Sequence, residues 1–252
     1  MRKLARRLAY VLGFAAGGAY FLLCSLAGLV ALAVTGGHRS ATYTFARIAC
    51  GGIVRMMGWK IVVAPAEAFD AIRPCVYTSN HQSIMDVLVF GSVVPRDVRA
   101  VGKKEIGAIP LFGWFFRKAG NLVIDRGSSE DAKRLLAEAV RRIREEKLSV
   151  WFMPEGHRNA SPELLPFKTG AFRLAADAQA RIVPVVAEPL RAVVDTDRLL
   201  ARRGTLRISI LPAVPPPRSA EDEPEVVACA ARVREAMQAE LDRLRATARD
   251  VL

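Results

Sequence analysis

The sequence predicts an α/β fold with a mainly parallel sheet covered by helices, preceded by an N-terminal two-helix membrane-associated element. From residue 60 onward, short apolar runs typical of strands alternate with segments of helical periodicity, as they do in proteins with parallel sheets. Before residue 60 the chain contains an apolar segment of membrane length. We therefore expect a helical hairpin in residues 1–59 and one domain in residues 60–252.

The N-terminal element begins with a long uncharged segment. Residues 8–35 contain 28 residues without a charge, and about 20 apolar residues span a bilayer core. A secretory signal is the competing interpretation, but its apolar region is usually about 7 to 15 residues long. Residues 41–59 are apolar apart from Arg47 and Arg55, which lie about 80° apart on a helix. This second helix is therefore expected at the membrane interface.

The apolar segments alone do not decide how the hairpin is oriented in the membrane. Basic residues before residue 8 favour a cytoplasmic N-terminus, so a single crossing would place the remaining chain outside. Two helices that enter one leaflet and return would leave it on the cytoplasmic side. Gly13 and Gly17 have small-xxx-small spacing, which predicts a close approach of the two helices.

Seven strands and four helices are predicted in the domain that follows. The strands are expected at residues 60–63, 75–78, 98–101, 121–124, 148–153, 182–186 and 205–211. The helices are expected to begin near Ser83, at Ser128 or Ser129, at Thr169 and at Glu225. In the last helix the predicted inward positions are Val226, Val233, Met237, Leu241 and Leu244.

The charge balance predicts an anionic partner. Lys and Arg outnumber Asp and Glu by 37 to 25, a net charge of +12, which suits phospholipid headgroups, phosphorylated substrates and nucleic acid. In residues 129–146 positive and negative side chains alternate, as on the solvated face of an amphipathic helix. We therefore expect a phospholipid bilayer and no nucleic acid as partner.

A candidate general base lies at a break between apolar runs. His81 is one of three histidines in the chain, and imidazole takes up a proton near neutral pH. Asp86 is placed to orient the ring and to stabilise the imidazolium. The structural alternative is a capping box from Ser83 to Asp86, in which the carboxylate bonds only to backbone N–H groups. Asp86 can serve both purposes.

The segment 101–126 combines cations with apolar side chains. The cations suited to clamp a phosphate are Lys103, Lys104 and Arg126. Residues 109–116 are suited to dock on lipid or to line an acyl groove. The alternative is that Trp114 and Phe115 belong to the core and that Arg126 pairs with Asp125 or another nearby acid.

A third group of polar residues follows the predicted strand 148–153. Glu155 and Gly156 come directly after it, at the edge where ligands of open α/β sheets bind. The segment from Lys168 to Gly170 opens a predicted helix and offers backbone N–H groups to an anion. The alternative is a strand-to-loop turn with solvated charges.

Together these segments resemble the four sequence blocks of the glycerolipid acyltransferase family, and within it the members that acylate lysophosphatidic acid. The blocks are Asn80-His81-Gln82-Ser83-x-x-Asp86 (an HX4D motif); Lys103 and Lys104 leading through Pro110-x-x-Gly113-Trp114 to Gly120-Asn121-x-x-Ile124-Asp125-Arg126; Pro154-Glu155-Gly156-x-Arg158; and Ile182-Val183-Pro184. They cover roughly residues 76–187. Their order and spacing make the resemblance specific, whereas His-x4-Asp alone would be weak.

The resemblance implies a reaction. His81 would deprotonate the sn-2 hydroxyl of lysophosphatidic acid while Asp86 orients the imidazole. The alkoxide would then attack the thioester of acyl-CoA or acyl carrier protein, giving phosphatidic acid. The thioester is a co-substrate, and neither a cofactor nor a metal is implied.

The resemblance also implies binding residues and a location. Those expected to hold the phosphate or to shape its pocket are Arg126, Arg158, Lys103, Lys104, Glu155 and Gly156. The two-helix element implies a non-crossing hairpin at the inner (cytoplasmic) membrane, with the catalytic domain, residues 60–252, facing the cytoplasm. His157 stands where the family usually has Thr, which leaves glycerol 3-phosphate and a lyso-aminolipid as alternative acceptors.

Two other classes of function compete with acyl transfer. A metal-dependent hydrolase would use His81, Asp86, Glu155 and His157, but their spacing selects no metal. A non-catalytic basic protein of the membrane surface would account for the net charge alone. Four scattered cysteines without metal-like or paired spacing indicate a reducing compartment and no disulfide framework.

Overall fold

A seven-stranded sheet forms the centre of the fold. The computed structural model describes residues 2–37, 39–65, 67–125, 127–195 and 198–249. The strands of the sheet are β1 (Trp59–Ala64), β2 (Cys75–Ser79), β3 (Val98–Lys103), β4 (Leu122–Ile124), β5 (Ser149–Phe152), β6 (Arg181–Ala187) and β9 (Gly204–Ile210). Two further strands, β7 (Val194–Asp195) and β8 (Leu200–Ala201), form a separate hairpin. All seven predicted strands are confirmed, with ends shifted by at most two residues.

The sheet is mainly parallel, as predicted. Its strand order is β1-β9-β6-β2-β5-β3-β4. The strands from β6 to β4 are parallel to one another, β9 is antiparallel to β6, and β1 is parallel to β9. Five parallel strands therefore end at one edge, which we call the carboxyl edge, and β1 and β9 begin there.

Helices cover both faces of this sheet. They are α1 (Arg2–Thr35), α2 (Ala41–Phe45), α3 (Gly51–Met56), α4 (Ala68–Ala71), α5 (Asp86–Val93), α6 (Phe112–Lys118), α7 (Ser129–Glu145), α8 (Gly170–Ala178) and α9 (Glu223–Arg249). A π-helical turn, Ala46–Cys50, joins α2 to α3, and we call the continuous segment the α2–α3 helix. The N-terminal helices, α5 and α6 pack on one face. Helices α7, α8 and α9 pack on the other.

The helix starts follow local hydrogen bonds. Ser128 caps α7, as predicted, because its Oγ accepts the Asp131 N–H at 3.1 Å. Helix α5 begins at Asp86 and not near Ser83, because Ser83 Oγ accepts the Met85 N–H at 3.2 Å and holds a turn before the helix. In α9 all the predicted inward positions are buried.

Two helical segments precede β1, as predicted, and they pack antiparallel. Gly17 faces Ile53 at an ordinary contact distance, whereas Gly13 faces open space. The prediction that both glycines permit a close approach is therefore wrong for Gly13. Helix α1 approaches α6 closely at Gly28, where an added Cβ would lie 2.7 Å from the ring of Phe115.

An aromatic cluster joins the N-terminal helices to α6. The ring centroids of Phe21 and Phe112 are 4.7 Å apart, and those of Phe45 and Phe115 are 4.3 Å apart. Phe115 is buried, in agreement with the core interpretation. Trp114 is 64% exposed, so the core interpretation is wrong for that residue.

The N-terminal helices lie along the full height of the sheet. Arg39 Nε donates to Asp97 Oδ1 at 2.9 Å, next to the first residue of β3. At the other end, Trp59 begins β1 at the carboxyl edge. Since α1 is antiparallel to the α2–α3 helix, its N-terminal end reaches the carboxyl edge, where Tyr10 belongs to the same buried cluster as Val193.

Helix α1 is long and apolar enough to cross a membrane between Tyr10 and Thr35, judged by length and composition. Within the described residues no other helix meets this criterion. Its outer face exposes apolar side chains along its length, among them Leu12, Leu23 and Val34. Exposed apolar area of this extent indicates a surface that contacts lipid or protein.

Candidate active site

The polar residues singled out in the sequence follow the ends of neighbouring strands. His81 lies after β2, Glu155 after β5 and Asp125 after β4, and Lys103 ends β3. Parallel strands lie about 4.8 Å apart, and these four strands are consecutive in the sheet. The fold therefore brings these residues to the carboxyl edge, where open α/β sheets bind ligands.

His81 and Asp86 form a hydrogen-bonded pair. His81 Nδ1 lies 2.9 Å from Asp86 Oδ2. The imidazole is mostly buried and the carboxylate is 2% exposed. A carboxylate accepts hydrogen bonds, so it favours the tautomer in which Nδ1 carries the proton and Nε2 has a free lone pair. That tautomer can accept a proton at Nε2.

The same Asp86 oxygen also holds the backbone. Oδ2 accepts the N–H groups of Gln82 at 2.5 Å and Ser83 at 2.8 Å. The backbone role and the ring-orienting geometry, considered as alternatives from the sequence, therefore coexist in one carboxylate. The other oxygen, Oδ1, is buried and accepts no hydrogen bond from the part of the chain that the structure describes.

Glu155 holds the loop that carries His81. Its Oε1 accepts the backbone N–H of His81 at 2.9 Å, and its Oε2 accepts that of Leu165 at 3.0 Å. Asn159 adds a second link, because its backbone N–H donates to the carbonyl oxygen of His81 at 2.7 Å. Glu155 is 2% exposed, so its carboxylate is bonded to protein and turned away from solvent. No pattern in the sequence had pointed to Asn159.

A second clamp joins the end of β2 to the end of β6. Asn80 Nδ2 donates to the carbonyl oxygen of Ala187 at 3.0 Å, and Asn80 Oδ1 accepts the Ala187 N–H at 3.0 Å. Gln82 Nε2 donates to the same carbonyl oxygen at 3.1 Å. These side chains fix the backbone on both sides of His81. A polar residue directly before the histidine was visible in the sequence, but its partner was not.

Gly156 permits a close approach of the next loop. Its φ is +74°, and an added Cβ would lie 2.8 Å from Lys168 Cε. The Lys168 N–H donates to the carbonyl oxygen of Pro154 at 2.9 Å. A larger residue at 156 would therefore strain the backbone and displace the lysine. The structure thus places Gly156 under the aliphatic part of Lys168.

The cations of the site differ in their partners. Lys104 Nζ donates to Asp125 Oδ2 at 2.7 Å, and this bond raises the pKa of Lys104 and lowers that of Asp125. Lys103 and Arg158 are exposed and make no ion pair with the residues that the structure describes. Arg126 lies outside the described residues. Among the described residues of these blocks, Lys103 and Arg158 are therefore available to an anionic ligand.

His157 does not join the buried pair. It is exposed and makes no hydrogen bond or ion pair within the described residues. In that part of the chain no group of three or more His, Cys, Asp or Glu side chains is placed to hold a metal ion. The arrangement around His81 is a hydrogen-bonded pair of an imidazole and a buried carboxylate.

Comparison with known proteins shows the family of the chain. The family model described as Acyltransferase matches residues 60–188. The chain belongs to the acyltransferase family. The blocks noted in the sequence lie within the matched residues, and the resemblance is confirmed. In this acyltransferase His81, Asp86, Lys103, Glu155 and the other described site residues all fall inside the family region.

Curated relatives of this acyltransferase share most of their length with it. Human "1-acyl-sn-glycerol-3-phosphate acyltransferase beta" is 33% identical over 195 residues, which is 77% of this chain and 70% of the human protein. The Escherichia coli K12 "1-acyl-sn-glycerol-3-phosphate acyltransferase" is 31% identical over 194 residues, 77% of this chain and 78% of the bacterial protein.

A solved structure shows the same fold. The crystal structure of "the 1-acyl-sn-glycerophosphate (LPA) acyltransferase, PlsC, from Thermotoga maritima" superposes with a TM-score of 0.77 and 19% identity. The superposition covers 98% of this acyltransferase and 100% of the Thermotoga chain. The similarity therefore includes the N-terminal helices as well as the sheet.

Proposed function

We propose that this acyltransferase moves a fatty acyl group from a thioester to the sn-2 hydroxyl of lysophosphatidic acid, making phosphatidic acid. The observation that carries the proposal is the 2.9 Å contact between His81 and Asp86 at an edge that also carries Lys103 and Arg158. A base beside cations suits an acceptor with both a hydroxyl and a phosphate. The names of the human and Escherichia coli relatives support this acceptor.

The proposed chemistry requires no covalent acyl-enzyme. His81 Nε2 takes the proton of the hydroxyl as its oxygen attacks the thioester carbonyl carbon. The tetrahedral intermediate then collapses, the carbon–sulfur bond breaks, and the imidazolium returns the proton to the leaving thiolate. Asp86 stabilises the imidazolium between these steps, as a carboxylate does in serine-hydrolase triads. The acyl donor is acyl-CoA or acyl carrier protein.

The phosphate is proposed to lie against the cations of the carboxyl edge. Lys103 and Arg158 supply charge, and a guanidinium can bind two phosphate oxygens at once. Arg126 keeps its proposed role on the strength of its position in the sequence block. Lys104 acts through its bond to Asp125. Glu155 and Gly156 shape the pocket by holding the loops around it.

The acceptor has a second candidate. His157 is exposed one residue before Arg158, where the family usually has Thr. A bulkier imidazole side chain at this position can change headgroup selection. Glycerol 3-phosphate and a lyso-aminolipid are therefore the alternative acceptors.

We further propose that the N-terminal helices enter one leaflet and return, which leaves the sheet on the cytoplasmic side of the inner membrane. The packing of α1 supports this placement. Phe21 and Gly28 of α1 contact α6, at the flank of the sheet. A bilayer-crossing α1 would carry this flank, including charged Lys118 at the end of α6, into the hydrocarbon.

The test is an acyl-transfer assay with the full chain in phospholipid bilayers. Both donors are offered with a panel of lysophosphatidic acid, glycerol 3-phosphate and a lyso-aminolipid. Transfer to lysophosphatidic acid is expected in the wild type and only residual transfer in His81→Ala, whereas His157→Ala retains transfer. Activity retained by a folded His81→Ala protein would remove the role assigned to His81, and transfer to another acceptor alone would reassign the substrate.

A further inference from the structure

A pocket lined by arginines lies beside the β7–β8 hairpin, away from the cations discussed so far. Its volume is about 420 Å³. The residues around it that matter here are Arg191, Arg198, Arg202, Asp195, Val193 and Val194, and we call it the arginine pocket. The two valines are buried and the three arginines are exposed. The pocket therefore has an apolar floor and a cationic rim.

The backbone that carries this rim is fixed. The Arg202 N–H donates to the Val193 carbonyl oxygen at 2.8 Å, and the indole Nε1 of Trp59 donates to the Arg202 carbonyl oxygen at 3.0 Å. Gly204 packs on Val193, where an added Cβ would lie 2.6 Å away. The parts of the pocket formed by Val193 and Arg202 are thus held to the sheet.

The charge of the pocket is positive. Residues 191–203 contain four arginines and two aspartates. Arg198 Nε lies 3.7 Å from Asp195 Oδ2, a distance typical of a weak exposed pair. The Arg202 side chain makes no hydrogen bond or ion pair within the described residues. At least one guanidinium therefore keeps its full hydrogen-bonding capacity for an anion.

The pocket lies on the side of His81 opposite to the acceptor cations. Ala187, at the end of β6, is bonded to Asn80 and Gln82 on either side of the histidine. Arg191 is four residues further along, so its Cα lies at most roughly 14 Å from that of Ala187. In the strand order, β6 and β3 lie on opposite sides of β2. The candidate base therefore stands between two cationic regions.

We propose that Arg198 and Arg202, together with Arg191, bind the phosphate of the acyl donor's phosphopantetheine arm. The inference rests on the proposed acyl transfer, in which two phosphate-bearing substrates must meet at His81. The acceptor phosphate occupies the Lys103 side, which leaves the hairpin side for the donor. Acyl-CoA and acyl carrier protein carry the same arm, with the thioester at one end and a phosphate at the other. One pocket therefore serves either donor.

The experiment compares donor kinetics of the full-length enzyme in neutral detergent. The test variant is Arg198→Gln with Arg202→Gln, and the matched control is Arg134→Gln on α7. Arg198 and Arg134 have similar side-chain exposure, 78% and 74%, and each has one weak neighbour on its own segment. The donors are acyl-CoA, acyl carrier protein and acyl-pantetheine, which lacks the phosphate.

The test variant is expected to show a donor KM about 10-fold higher or more for a phosphate-bearing donor, since a charge-assisted hydrogen bond is lost at each position. Its kcat, its acceptor KM and its KM for acyl-pantetheine stay at wild-type values, and the control changes none of them. A rise in donor KM with acyl-CoA alone or with acyl carrier protein alone identifies the source of the phosphate. A rise in KM with both donors assigns the pocket to the arm that they share.

Three outcomes would overturn the inference. They are an unchanged donor KM, an equal rise with acyl-pantetheine, and weaker binding to vesicles containing phosphatidylglycerol with donor kinetics intact. The last would assign the pocket to anionic lipid headgroups. Circular dichroism and thermal unfolding confirm that the variant is folded. Wild-type enzyme that transfers no acyl group to any acceptor refutes the proposed function instead, so the two failures are distinct.

Discussion

The backbone N–H of His81 donates a hydrogen bond to Glu155 Oε1 at 2.9 Å. A carboxylate after β5 therefore holds the loop that carries the candidate base after β2. Because both Glu155 oxygens accept protein hydrogen bonds, we expect the residue to act on the reaction through the position of His81. The resemblance to the family implies a place for Glu155 at the substrate pocket, and the hydrogen bonds predict the role of a positioning residue there.

Glu155→Gln is expected to lower kcat on the order of 10- to 100-fold with little change in the KM for lysophosphatidic acid, because a displaced base reacts slowly. The amide NH2 would face a backbone N–H that now has an acceptor, which costs about 1–3 kcal/mol of stability. Steady-state kinetics and thermal unfolding measure the two effects. A normal kcat with a raised KM would show that Glu155 contacts the substrate.

Asp86→Asn is expected to lower kcat on the order of 10³- to 10⁴-fold, as loss of the orienting carboxylate does in hydrolase triads. Its amide NH2 would replace either the acceptor of three N–H groups or Oδ1, which has no hydrogen-bond partner in the described chain. Residues that act as a unit are not additive. The His81→Ala, Asp86→Asn double variant should thus be no slower than His81→Ala, and multiplied losses would argue against the pair.

Arg158→Gln is expected to raise the KM for lysophosphatidic acid about 10- to 100-fold, since a charge-assisted bond to phosphate is lost. The donor KM should not change. The melting temperature should also stay constant, because Arg158 is exposed and bonded to none of the described residues. Initial rates at varied acceptor concentration measure the effect. An acceptor KM equal to the wild-type value would remove Arg158 from the phosphate site.

Gly28→Ile is expected to separate α1 from α6 and to lower stability by about 1–3 kcal/mol, because its Cβ would overlap the Phe115 ring. Gly18→Ile is the matched control on the same helix, since an added Cβ there meets no atom within 4 Å. Thermal unfolding in detergent compares the two variants. Equal melting temperatures would mean that α1 does not pack on α6 in solution.

Cys75 is expected to resist alkylation in the folded protein. It is fully buried, and burial raises the pKa of its thiol to about 11. At pH 8 the thiolate fraction is then on the order of 10⁻³, and only the thiolate reacts. Labelling with iodoacetamide followed by mass spectrometry measures the rate at each cysteine. Labelling of Cys75 at the rate seen in denaturant would contradict its placement in the core.

The strands and the pair of His81 and Asp86 could be predicted because the sequence patterns that indicate them are local. Apolar runs bounded by polar residues marked the seven sheet strands, and four residues separate His81 from Asp86. The dual use of Asp86 was visible too, since a capping pattern and an orienting role need the same carboxylate at a helix start. Predictions from such short-range patterns hold in the folded protein because few other residues compete for the same contacts.

The hydrogen bonds that hold the site in place could not be predicted, because the residues that they join are distant in sequence. Glu155 bonds to His81 across 74 residues, and Asn80 bonds to Ala187 across 107 residues. The exposure of Trp114 was also missed, because its aromatic neighbour Phe115 is buried and the sequence does not distinguish the two faces of a short helix. The spacing of residues 191–203 did not predict a pocket.

The cluster that joins Phe21 and Phe45 to Phe112 and Phe115 also bears on biosynthesis. Residues 2–56 leave the ribosome well before residues 112–118, so the inner side of α1 has no protein partner when it first emerges. A nearby bilayer offers that side a temporary apolar environment. Later arrival of α6 is then expected to withdraw that side from lipid, so that the sheet domain would fold and α1 would reach its final place at the membrane in successive steps.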